Sequence, residues 1–186
     1  MKMFRTCLTA AVMTAALSAC GGNTVTGEYH SAFYTPELTA HTIRNGVMPT
    51  AVYGAPYDEA ALGDLLAALE LPAGHPSARL AMTQAARDGD LGRVVLVFDP
   101  APTVADGTDA CRMMAGDKIP TVTGGGRTLV LVAFCHGDEL ASESTATVPR
   151  AKGPSDPMLV AGINDALIRT LRTDDPNQTS GCGTPC

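Results

Sequence analysis

The sequence predicts an α+β fold: a small antiparallel sheet of about four strands with two amphipathic helices packed on one face. Three observations predict it. Two apolar runs, Arg93 to Asp99 and Arg127 to Cys135, have the length and β-branched content of buried strands. Turn-forming residues, Asp88-Gly89-Asp90 and His136-Gly137-Asp138-Glu139, border these runs and suggest hairpins. Two segments with helical periodicity flank the strands. A partly parallel α/β sandwich is the alternative, because the connection from Thr103 to Gly126 is long enough to cross over.

Taken in order, Gly21 to Gly27 is rich in Gly, Thr and Asn and reads as a flexible tether. Between Glu28 and Pro56 the only strand signal is Ala51-Val52-Tyr53, and Tyr29, Phe33 and Tyr34 are left either packed or loose. The clearest helix runs from Asp58 to Leu71. Asp58 is its N-cap, and Glu59 suits the positive helix end. Leu62, Leu65, Leu66 and Leu69 make one core-facing stripe, and Pro72 and Gly74 stop the helix.

Ala78 to Ala86 alternates weakly and is expected to pair with Arg93–Asp99 through the Asp88-Gly89-Asp90 turn, although its alanines also permit a helix. Pro100 and Pro102 end the first strong strand. Thr103 to Gly126 holds one helical turn near Asp109 to Met114, and Gly124-Gly125-Gly126 leads into the second strong strand. The return strand, Leu140 to Val148, is rich in Ser and Thr, as suits a sheet with one solvated face. Ser155 is the expected N-cap of the last helix, with Asp156 and Pro157 in its first turn. Leu159, Ile163, Ala166, Leu167 and Leu171 form its apolar face.

At the other end of the chain, Lys2 and Arg5 precede a run of small and apolar residues from Cys7 to Ala19. This run suits a secretory signal and is too short to span a membrane. Leu17-Ser18-Ala19-Cys20 resembles the lipobox of bacterial lipoproteins. The resemblance implies diacylglycerol on the Cys20 thiol, cleavage before it and acylation of the new amino terminus. It covers only the first twenty or so residues and names a processing class, not a fold. Several acyl chains on one cysteine hold a protein on a membrane without a spanning helix. Gly21 stands where Asp resembles an inner-membrane retention signal, which leans towards the outer membrane, facing the periplasm.

The expected organisation is therefore a signal peptide over 1–19, a lipidated tether over 20–40, one globular domain over 41–173 and a polar, cysteine-containing tail over 174–186. Losing Lys2 and Arg5 takes the formal charge from −6 to −8. That acidity, with no basic cluster, argues against nucleic acid, which demands phosphate neutralisation, and against adhesion to anionic lipid headgroups. Tryptophan is absent and aromatics are 4%, so stacking platforms for sugars or bases are not expected.

Four cysteines remain: Cys111, Cys135, Cys182 and Cys186. An even number in an exported chain reads as disulfides with three possible connectivities, of which Cys111–Cys135 plus Cys182–Cys186 is preferred. The first pair ties a loop to the end of a strong strand, a closure worth ~3 kcal/mol.

Catalytic signals are weak. Cys135-His136 invites a thiol nucleophile with a base, but neighbours on a strand point to opposite faces. Cys182-Gly183-Thr184-Pro185-Cys186 has three intervening residues where a redox dithiol has two, and no helix follows to lower a thiol pKa. Gly124-Gly125-Gly126-Arg127 lacks the ending of a phosphate loop. Asp99 sits at a strand end as part of an Asp-Pro turn, and Met113-Met114 reads as core filling. His30, His41, His75 and His136 show no metal-ligand spacing.

No catalytic residue, metal or cofactor is thus assigned. The expectation is a membrane-tethered, non-enzymatic structural, assembly or accessory factor with an envelope protein as partner. The alternative is a periplasmic thiol-redox or metal-handling protein using Cys182 and Cys186.

Overall fold

The computed structural model describes residues 22–87, 92–104, 106–113, 120–122 and 125–174. Cys20, Cys182, Cys186, Met114, Gly124 and the Asp88-Gly89-Asp90 turn lie outside them. The described elements run β1 (Thr24–His30), α1 (Pro36–Thr42), β2 (Val47–Tyr53), α2 (Glu59–Ala68), β3 (Arg79–Met82), α3 (Gln84–Arg87), β4 (Gly92–Phe98), α4 (Gly107–Cys111), β5 (Arg127–His136), β6 (Glu139–Pro149) and α5 (Pro157–Thr170).

The strands form one six-stranded mixed sheet of order β1-β6-β5-β4-β2-β3. This corrects the expected antiparallel sheet of about four strands. β4, β5, β6 and β1 make an antiparallel meander. On its other side β4 pairs in parallel with β2, and β2 in parallel with β3. The crossovers run through α2 and α3, not through the long 103–126 connection, which joins antiparallel neighbours. Nor is Arg79–Met82 hairpinned to β4: α3 follows it, and β2 lies between them.

Two expected boundaries also move. Thr24–His30, assigned to the tether, is an edge strand whose Thr24 pairs with Thr147 and His30 with Ser142. The cap of the last helix is Asp156, not Ser155; its carboxylate accepts the Met158 and Lys152 amides. Asp58 caps α2, accepting from the Ala61 amide at 2.8 Å.

Period-two alternation splits the core across the sheet. Val94, Leu96 and Phe98 of β4 and Val130, Val132 and Phe134 of β5 face α2 and α5, where Leu65, Leu66, Leu159, Ile163 and Leu167 meet them. Val95, Val97, Leu131, Ala133 and Cys135 face the other way, against Ala86 of α3 and Ala110 and Cys111 of α4. Helices therefore cover both faces, not one. Two polar residues of β6, Ser142 and Ser144, are on the buried side, while Glu143, Thr145 and Thr147 stand half-buried on the other face. Ser142 Oγ donates to the Thr170 carbonyl at 2.5 Å and Ser144 Oγ to that of Ala166 at 2.9 Å. These bonds offset a desolvation cost of about 1–3 kcal/mol per orphaned hydroxyl.

Of the three aromatics left open, Tyr34 is buried and donates its hydroxyl to the Arg172 carbonyl at 2.6 Å. Burial pushes that hydroxyl's pKa up to about 12. Tyr29 and Phe33 are exposed, at 48% and 41%.

Candidate functional site

A cleft among the described residues lies at the end of the sheet where the β5–β6 hairpin turns. Tyr29, Phe33, Asp106, Thr108, Arg112, Asp138, Glu139, Leu140 and Glu143 enclose about 590 Å³ there. Register explains the gathering. Tyr29 pairs with Glu143 across β1 and β6, so both project from the same face of the sheet. α4 lies over that face and contributes Asp106, Thr108 and Arg112.

Gly107 sets how closely α4 approaches. A Cβ on it would lie 2.6 Å from Glu143 Oε2 and 2.7 Å from Leu140 Cδ1, so both side chains would have to shift. Without one, the Gly107 amide donates directly to Glu143 Oε2. Asp106 caps the same turn, accepting from the Thr108 amide at 2.8 Å. The Glu143 carboxyl is raised above its ordinary value. Burial is the main cause, the Gly107 bond opposes it, and the Asp106 charge adds to it. Four carboxylates thus share the cleft with one guanidinium and two exposed aromatic rings.

Beneath the cleft, Cys111 of α4 is disulfide-bonded to Cys135 of β5, with Cα atoms 5.5 Å apart. Arg93 enters from β4, is 1% exposed, and donates to the Cys111 carbonyl and, at 2.7 Å, to that of Gly137 in the hairpin turn. One covalent bond and one guanidinium therefore fix both walls, α4 and the hairpin. A charge this deep is held by such hydrogen bonds, since an unpaired one would be far too costly.

The structure places the other described candidates as follows, whereas Cys182 and Cys186 lie outside the described residues. Cys135 is buried in the disulfide while His136 is exposed, so they form no dyad. Asp99 adopts φ +43° and clips the strand end: its carboxylate accepts the Leu129 amide at 2.8 Å, and its carbonyl the Val122 amide at 2.9 Å. Met113 packs against the second core and accepts from the Tyr53 hydroxyl at 3.2 Å. His75 Nε2 lies 2.8 Å from the Leu171 carbonyl, and His30 stacks edge-on against Tyr34 at 4.8 Å. Among the described residues, no three His, Cys, Asp or Glu side chains converge as a metal site. No helix among them is long and apolar enough to cross a membrane.

Sequence reasoning passed over Glu143, Gly107, Arg93, Tyr29 and Phe33. A lone carboxylate inside Ser142-Glu143-Ser144 and an arginine opening an apolar run were the available signals. Comparison of the chain with protein-family models, curated proteins and solved structures gives no match.

Proposed function

We propose that the protein is a membrane-tethered lipoprotein of the bacterial envelope. It is lipidated at Cys20 and acts as a non-enzymatic assembly or accessory factor, offering the α4–hairpin cleft to a protein partner. The supporting observation is the placement of β1. Its first residue stands four positions after Cys20, and Tyr29, near its far end, lines the cleft. Six residue steps of strand, about 20 Å, separate the two ends. A protein held at Thr24 carries its cleft outward. Four carboxylates against one guanidinium, beside two exposed rings, favour a partner with a basic surface, through charge attraction and cation–π contact. Gly21 favours the outer membrane, facing the periplasm.

Growth with labelled fatty acid tests the anchor. Label should appear on the parent chain and be lost from Cys20→Ser; label retained on that variant at parental levels would end this reading. Co-purification from solubilised membranes tests the cleft. A partner recovered with the parent should be lost with Tyr29→Ala/Phe33→Ala.

A further inference from the structure

We propose that the sheet end nearest Cys20 docks directly on the phospholipid surface, so that the domain stands on the bilayer instead of swinging from it. The proposal rests on the lipoprotein reading for its anchor and on described residues for its docking surface. With β1 beginning at Thr24, only Gly21, Gly22 and Asn23 lie between Cys20 and the sheet. Four extended residue steps reach about 14 Å at most. That is shorter than the strand itself, so this end of the sheet cannot move far from the anchored residue.

What lies at this end fits a lipid surface. Leu129, Thr147 and Thr24 form one row across β5, β6 and β1, placing Leu129 about 10 Å from the point where the chain leaves for Cys20. Leu129 is 38% exposed and lines an apolar groove of about 420 Å³ together with Pro100, Pro102 and Val122. Val122 is 52% exposed. On the opposite face Met158 is 40% exposed, beside Asn23, whose side-chain amide donates to its carbonyl at 2.9 Å.

Long cationic side chains accompany these residues. Arg127 donates to the Thr147 carbonyl at 3.1 Å and Arg150 to that of Gly125 at 2.9 Å, and Lys152 is exposed. Their aliphatic stems can lie along apolar surface while the charges reach phosphates. Among the described residues of this end, Asp99, Asp156 and Asp58 each accept backbone amides, and Glu59 stands in the first turn of α2. The cleft at the far end sets four carboxylates against Arg112 alone, whereas this end sets four against Arg127, Arg150 and Lys152, a more balanced charge.

The absence of tryptophan supplies a clean reporter. Full-length lipidated Val122→Trp and Phe33→Trp are each placed on vesicles of phosphatidylethanolamine and phosphatidylglycerol, with and without brominated acyl chains. Bromine should quench residue 122 at least about twofold and leave residue 33 unchanged, as side chains at the headgroup–acyl boundary demand. Met158→Trp repeats the measurement at a second exposed position should the first variant fold poorly. Unquenched emission at both positions from a chain that floats with the vesicles overturns docking and leaves the anchor intact. A blue-shifted residue 122 that is indifferent to bromine places the chain's own acyl group in the groove, which also overturns it. Cys20→Ser/Val122→Trp separates the anchor from the surface: its quenching on vesicles upholds docking without the anchor, and its failure to bind while the lipidated chain is quenched upholds docking that the anchor makes possible.

Discussion

Replacing Cys111 and Cys135 together by alanine tests how the cleft is held. The bridge joins residues 24 apart in sequence. In the chain-entropy relation, a closed loop of that size removes about 3.5 kcal/mol from the unfolded state. Both cysteines are buried, so a serine pair would add two desolvated hydroxyls and about 2–6 kcal/mol more. The alanine pair is expected to lose about 3–4 kcal/mol in urea denaturation. Its slope should steepen, because the unbridged denatured chain exposes more surface. Amide exchange should rise first at Gly107–Arg112, whose remaining ties include Arg93 and the Gly107–Glu143 hydrogen bond. Arg93→Met combined with the alanine pair should be non-additive by more than about 0.5 kcal/mol, since both hold the same helix. A loss below about 1 kcal/mol with an unchanged slope would refute the loop argument.

Other substitutions probe other joints. Leu66→Ala should cost about 2–5 kcal/mol in the same assay, as Leu66 is buried between α2 and the sheet; an unchanged midpoint would mean that the helix presents another face. Gly162→Ala places a Cβ 2.3 Å from Val148 Cγ1, so overpacking should outweigh the gain in helix propensity and lower the melting temperature. A higher melting temperature would place α5 further from β6. Glu143 titrates above its ordinary 4.5, so the native state binds the extra proton. Its contribution is full below that value and is lost as pH rises through the folded one. Glu143→Gln keeps an acceptor for Gly107 and should gain stability relative to the parent as pH rises past the ordinary 4.5; a difference that stays constant with pH would deny the shift.

The legible parts of the fold were those where burial alone fixes structure. β4 and β5 are apolar along their length, and β6 follows β5 through a two-residue turn with Gly137 at φ +64°. β1 was opaque because an edge strand owes its form to its partner: Thr24–His30 alternates few apolar residues and contains Gly27. β2 was masked by Pro49. The proline is tolerated because that stretch pairs with β3 alone, and the β4 ladder begins only at Thr50. The parallel half follows from this, since a strand read as three residues cannot be placed between two others. The cleft was illegible for another reason. Tyr29, Gly107 and Glu143 are far apart in sequence, and the pairing of β1 with β6 together with the Gly107 approach assembles them.

The order of synthesis gives β1 a waiting time. Thr24 pairs with Thr147, and 147 − 24 = 123 residues must follow it before its partner exists. At ribosomal rates of about 5–20 residues per second, that is roughly 6–25 s as a bare edge. During that interval a flat, regular strand would be a template for other chains. Thr24–His30 is poorly suited to that role. Gly27 at φ +69° accompanies a shift in its register between Thr26 and Tyr29, and Glu28 puts a charge beside the break. The irregularity that obscures this strand in the sequence also guards the chain until its final partner arrives.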